Sequence, residues 1–178
     1  MKKGHDIRNV VQQINNDVKS KKDYIVTLNA LEVTTSNNTY PNLEFTDAPD
    51  QYSLTDHSMN QLCGKLEIGT QYLRKCLPVS QELVAHNLNF WIKNTKSKEL
   101  MVRTIERKSN ELPDIARAIC SNRYKRIDND VVANHSLNKL MDLGLDIKYV
   151  NYDRDTLNIT AVNPKIEGEV QEGDVVQS

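Results

Sequence analysis

Four cations and one phenol fall close together in this chain: Arg117, Arg123, Lys125 and Arg126 surround Tyr124 in the run from Ala116 to Asp130. Guanidinium and ammonium groups donate to phosphate oxygens, and an exposed aromatic ring is a platform for an unstacked base. Such a grouping suits single-stranded nucleic acid, whose affinity comes largely from phosphate contacts. Arg103, in the apolar run just upstream, joins the set as a fifth cation. The same residues also suit a solvated strand face, with Tyr124 as a core side chain.

Acidic chemistry has one candidate. Asp128 and Asp130 flank Asn129, and two carboxylates at that spacing could hold Mg²⁺ against a phosphate if a third ligand joined them. Asp and Asn ahead of an apolar helical run are also helix caps, where acids complement the helix dipole, and the cap reading is preferred. His5, His57, His86 and His135 are isolated from one another, and none has a second His or Cys at ligand spacing. His135 reads as a half-buried helix residue. No phosphate loop, dinucleotide fingerprint, nucleophile elbow or zinc-protease signature is present. No catalytic residue, metal or cofactor is therefore assigned.

These residues need a scaffold, and the chain is long enough to supply one. Its 178 residues, with 38% apolar and 26% charged side chains, suit a soluble domain. The net charge of −1 conceals an asymmetry. Lys93 to Arg126 holds ten Lys/Arg against four Asp/Glu, whereas residues 127–178 hold four against ten. A positive middle beside an acidic final third attracts polyanions locally. No apolar run reaches membrane-spanning length, and the start from Met1 to Asp6 has no apolar stretch behind it. Cys63, Cys76 and Cys120 are odd in number and follow no paired spacing, as expected of reduced, buried thiols in a cytoplasmic protein.

Periodicity assigns the elements. Residues 6–22 read as an amphipathic helix capped by Asp6, with Ile7, Val10, Val11, Ile14 and Val18 on one face. Tyr24 to Val33 alternates like one strand. Thr34 to Ser53, with Asn37-Asn38, Pro41 and Pro49, reads as a long loop carrying at most a short strand at Leu43 to Phe45. Three helices follow. The first is capped at Thr55 or Asp56 and ends at Gly69. The second runs from Thr70 to Cys76 and stops at Leu77-Pro78. The third starts at Ser80 and has Val84, Leu88, Trp91 and Ile92 on its buried face.

Strands then run over 100–106 and 114–120, joined by the polar loop from Arg107 to Pro113. In the second, Ile115, Arg117 and Ile119 share a parity, leaving the small Ala116, Ala118 and Cys120 to face a packed helix and Arg117 to face the open side. A helix capped at Asn129 or Asp130 carries Val131, Val132, Leu137, Leu140 and Met141 and ends at Gly144. Strands at 145–152 and 156–162 turn at Asp153 to Asp155. The order predicts an α+β fold: an antiparallel sheet with a strand-strand-helix-strand-strand core and a small helical subregion packed on it. The division falls into 1–53, a helix, strand and loop, and 54–178, with one compact body overall.

Several segments resemble a known family. Leu54 to Cys63, Ile68 to Pro78, Asn87 to Trp91, Leu100 to Thr104 and, most specifically, Arg117 to Asn129 are similar in order and spacing to the phage/plasmid-like family catalogued as domain of unknown function 932. The resemblance covers roughly residues 52–176 and implies a prophage or mobile-element setting, with no catalytic residues to carry over. Members of that family continue past the Gly173 to Val176 segment, so the chain resembles an N-terminal portion. Val170 to Val176 itself reads as strand-turn-strand.

Together these readings predict a non-enzymatic phage or mobile-element protein in the host cytoplasm. It would bind single-stranded DNA or RNA in recombination or replication, self-associate into a homo-oligomer and have no membrane partner. The alternative is a protein-interaction factor, acting in counter-defence or on the virion, with a phage or host protein as partner. A Mg²⁺-dependent nuclease using Asp128 and Asp130 is the third reading.

Overall fold

A computed structural model describes residues 7–107, 113–152, 156–171 and 174–177. The fold is α+β, and the chain divides into two compact units, Ser20–Lys125 and a second formed by Met1–Lys19 with Arg126–Ser178. The division expected at residue 53 is not observed. That position lies inside a strand whose next residue, Leu54, pairs with Ala116.

The Ser20–Lys125 unit is built on a six-stranded sheet. Its strands are β1 (Lys21–Thr27), β2 (Leu31–Thr34), β3 (Asn42–Phe45), β4 (Ala48–Leu54), β5 (Glu99–Ile105) and β6 (Asp114–Ser121). They lie in the order β1-β5-β6-β4-β3-β2. All neighbours are antiparallel except β4 and β6, which run parallel over Tyr52 to Leu54, so the sheet is mixed. β1 and β2 are the opposite edges, yet only the three-residue 3₁₀ turn Leu28–Ala30 joins them. Edges linked by so short a segment must curl toward each other. The rings of Tyr24, Phe45 and Tyr52, with centroids 5.1 to 5.8 Å apart, fill the curl.

Two expectations are corrected here. The single strand from Tyr24 to Val33 is broken at Leu28, because the chain has to cross from one edge of the sheet to the other. The loop expected over 34–53 holds the β3–β4 hairpin. Pro49 obscured it: Pro49 and Asp50 fall between the pairs Phe45↔Ala48 and Glu44↔Gln51, in a bulge, which is where a strand tolerates proline.

Three helices cover one face of this sheet: α2 (Asp56–Leu66), α3 (Thr70–Cys76) and α4 (Gln81–Asn94). Thr55 caps α2 reciprocally with Ser58: the Ser58 N–H donates to Thr55 Oγ1 at 3.1 Å and the Thr55 N–H donates to Ser58 Oγ at 2.9 Å. Met59, Leu62, Cys63 and Leu66 are buried, as their spacing requires. α2 ends on Glu67 in the left-handed region (φ 59°) rather than at Gly69, which is the N-cap of α3. Ser80 Oγ caps α4 by accepting from the Leu83 N–H at 3.1 Å. Val84, Ala85, Leu88 and Ile92 are buried, but Trp91 lies outside the core, 41% exposed.

The second unit packs α1 (Ile7–Ser20) and α5 (Asn129–Asp142) with the antiparallel pair β7 (Asp146–Tyr152) and β8 (Leu157–Val162). Val10, Ile14, Ala133, Leu137, Val150 and Tyr152 make its core, and the Tyr152 hydroxyl donates to Asp17 Oδ2 at 2.6 Å. Gly144, at φ 69°, takes the positive-φ position that ends α5, and the Leu145 N–H reaches back to the Leu140 carbonyl. β7 and β8 form their own sheet, so the strand-strand-helix-strand-strand order does not make one continuous sheet. The described residues of the 170–176 segment fall on a further antiparallel pair, β9 (Glu167–Gln171) with β10 (Asp174–Gln177), and residues 172–173 lie outside the described residues. Asp6, the turn at 153–155 and most of the 107–113 loop lie outside the described residues. Among the described residues no helix is long and apolar enough to cross a membrane.

Candidate nucleic-acid interface

β6 positions the basic residues, and its irregularity decides which of them can act. Arg103 of β5 pairs with Ala118 and Thr104 with Ala116, so the register shifts between them and Arg117 is the extra residue of a bulge. The bulge breaks the alternation expected of Ile115, Arg117 and Ile119. Ala116 and Ile119 both reach zero exposure in the same core cluster, three positions apart. Arg117 is half-buried at the kink. β4 pairs with β6 only as far as Ala116, and beyond it the Ile119 N–H donates to Gln61 Oε1 of α2 at 2.7 Å.

β6 ends at Ser121 in a tight turn. The Tyr124 N–H donates to the Ser121 carbonyl at 3.0 Å, and Asn122 Nδ2 donates to Glu99 Oε2 at 2.8 Å, tying the turn to the start of β5. From Ser121 to Ile127 every residue is exposed, and Tyr124 is 46% exposed. Tyr124 is thus a surface ring between Arg123 and Lys125, not a core residue. Arg126 is exposed too and is the first residue of the other unit.

Arg103 is corrected. It is register partner to Asp23 of β1 and donates from Nε to Asp23 Oδ1 at 2.9 Å and from Nη2 to Oδ2 at 3.3 Å. Its side chain is 4% exposed. The cation is held in the sheet by a carboxylate, so Arg103 is not a surface phosphate contact.

The sequence reading missed three lysines. Lys98 immediately precedes β5, and its Nζ donates to the Lys65 carbonyl at the end of α2 at 2.6 Å. Since Leu100 is register partner to Ser121, Lys96, Lys98 and Lys65 share the end of the sheet from which the Arg123–Lys125 turn leaves. Burial pushes the Cys120 thiol above the usual range, against the opposing pull of Arg103, Lys65 and Arg117. The antiparallel register of the hairpin was the signal that could have brought Lys96 and Lys98 into the set.

Other sites offer less to an anion. A cleft of about 710 Å³ in the same unit is lined by Ser36, Asn38, Asn42, Gln51 and Gln81 among others, and among the described residues its lining holds no Lys or Arg. Its amides are largely committed: Gln81 Oε1 accepts from the Ser36 N–H at 3.0 Å, and Asn42 Nδ2 donates to Gln51 Oε1 at 3.3 Å.

At the acidic turn the N-cap of α5 is Asp128, one residue earlier than expected, and its side chain makes no capping bond. One carboxylate oxygen of Asp130 is buried without a hydrogen-bond partner. No cluster of three metal-ligating side chains occurs among the described residues, so no third ligand joins Asp128 and Asp130 there. His135 is exposed rather than half-buried.

The chain is similar to no family model, no curated protein and no solved structure.

Proposed function

We propose that the Ser20–Lys125 unit binds single-stranded nucleic acid at the end of its sheet, with Arg123, Lys125 and Arg117 on phosphates and Tyr124 stacked on a base. One observation carries the reading: Tyr124 is 46% exposed, between two exposed cations, on a turn that Asn122 pins to Glu99. A fixed, exposed ring flanked by charge suits an unstacked base, whereas an exposed ring without that use is a solubility cost. The chemistry is non-enzymatic and uses no cofactor. The sequence resemblance to a phage and plasmid family suggests the setting, recombination or replication of a mobile element in the host cytoplasm.

The test is a salt-titrated binding assay against single-stranded DNA, single-stranded RNA and duplex. Affinity for a single strand falls linearly with salt on logarithmic axes, and R123A/K125A lowers that slope by about 1.4, or 0.7 per lost phosphate contact. An unchanged slope in a folded variant moves the interface elsewhere.

A second reading, protein binding by the other unit, rests on a different observation. Met141 and Leu143 at the end of α5 are 67% and 57% exposed, and Val131 at its start is 47% exposed. Apolar side chains left open along one helix favour association with a phage or host protein or with a second copy. Sedimentation of the chain over a range of concentrations separates self-association from a monomer.

A further inference from the structure

Helix α4 presents its two aromatic residues to solvent although its rotation is rigidly set. Val33 on the edge strand β2 has its N–H accepted by Asn89 Oδ1 at 2.8 Å and its carbonyl bonded by Asn89 Nδ2 at 2.8 Å. One amide thereby stands in for a neighbouring strand and closes part of the open edge. With Asn89 fixed against the sheet and Val84, Leu88 and Ile92 buried, the next residues, Phe90 and Trp91, are 53% and 41% exposed. Trp91 is the only tryptophan of the chain and Phe90 one of its two phenylalanines. Their rings pack edge-to-face, centroids 5.5 Å apart at 90°, which leaves a ring face open.

Lysines lead from this pair toward the turn already described. Lys93 lies one helical turn beyond Phe90, and Lys96 and Lys98 follow in the link to β5; all three are exposed. α4 ends at Asn94 and β5 begins at Glu99, the residue bonded to Asn122. The five residue steps from Asn94 to Glu99 span at most about 18 Å, so both aromatic sites lie within reach of one short strand.

We propose that Phe90 and Trp91 form a second base-stacking site for the same single strand, which runs from Tyr124 across Lys98, Lys96 and Lys93 onto α4. This rests on the nucleic-acid reading of the turn and adds a path and a second stacking platform to it. The ligand is single-stranded and needs exposed bases, because a duplex offers its base faces to neither ring.

The unmodified chain supplies its own probe. An oligothymidylate of about 15 nucleotides is titrated at low salt, following Trp91 emission with unlabelled strand and anisotropy with fluorescein-labelled strand. The expected result is quenching of Trp91 in step with the anisotropy. F90A weakens binding about five- to a hundredfold with an unchanged circular dichroism spectrum, and K93A/K96A lowers the salt slope by about 1.4. Strand bound with Trp91 emission unchanged, or full affinity in F90A, overturns the path over α4 and leaves the turn as the interface. No binding at low salt overturns both. Duplex quenching Trp91 as strongly as the single strand overturns the stacking role.

Discussion

Arg103 and Asp23 face each other across β5 and β1, joined by two hydrogen bonds, with side chains 4% and 12% exposed. A cation in the middle of a sheet is tolerated only because its register partner is an anion, and each group would be stranded by the loss of the other. R103A or D23A alone should therefore lower stability by about 3–5 kcal/mol. Replacing both with leucine should recover most of that loss. Urea unfolding of the three variants measures the difference, and an R103A chain as stable as the parent would contradict the pairing.

The exposed turn should behave in the opposite way. Y124A and R123A/K125A remove side chains that lie in solvent, so the melting temperature should move by no more than about 2 °C. Single-strand affinity should fall in both. Calorimetry beside anisotropy titration tests this, and a large drop in melting temperature would mean that the turn is structural.

The cap of α2 has two interlocked members. Thr55→Ala removes the acceptor for the Ser58 N–H and should cost about 0.5–2 kcal/mol. Ser58→Ala should cost a similar amount, and the double variant should cost less than the sum, because the same pair is broken once. Strict additivity in denaturant unfolding would show that the two residues act separately.

One ion pair predicts an acid limb. The Arg74 guanidinium, 2.6 Å from Asp56 Oδ2, holds the Asp56 carboxyl below its usual range. The folded chain therefore binds that proton less readily than the unfolded chain. The contribution is complete above the unfolded value of about 3.9 and is lost as pH falls through the lower folded value. Both side chains are nearly half exposed, so the effect is small and fades with salt. Melting curves of D56N against the parent should converge at low pH and separate above about pH 4. A constant offset down to the most acidic point would rule the pair out as the cause.

The thiols should resist modification. Burial raises Cys63 above the usual thiol range, and it is the largest influence on Cys120, which is raised as well. Since the thiolate is the reactive form, both should alkylate slowly at pH 8 in the native chain and quickly once unfolded. Intact-mass analysis after timed iodoacetamide counts the modified sites, and rapid labelling of native Cys63 would contradict its burial.

Local signals were legible and distant ones were not. Thr55 ahead of Asp56, Ser80, and Gly144 after an apolar run each announced a helix boundary within a few residues. The β5–β6 hairpin was plain from its apolar runs. Pro49 hid β4, because proline denies a strand unless a bulge receives it, and the bulge depends on the facing strand. Arg103 counted as a surface cation until Asp23, eighty residues away, proved to be opposite it. Trp91 counted as core because its spacing fits Val84 and Leu88, but with Asn89 bonded to Val33 and Val84, Leu88 and Ile92 buried it lies on the exposed side. Within the interface, Arg117, Arg123, Tyr124 and Lys125 were readable from one short run. Lys96 and Lys98 depended on register, and Lys65 on the bond its carbonyl accepts from Lys98.

The interrupted unit has a consequence for the order of events on the ribosome. Val10 and Ile14 emerge first, but their core partners Ala133, Leu137, Val150 and Tyr152 follow only after the whole Ser20–Lys125 segment. At usual elongation rates α1 waits on the order of ten seconds with its apolar stripe uncovered. The inserted unit holds all the strands of its sheet and can close during that wait, so it should mature before the unit that encloses it in sequence. A chaperone that recognises short amphipathic helices would meet α1 in that interval.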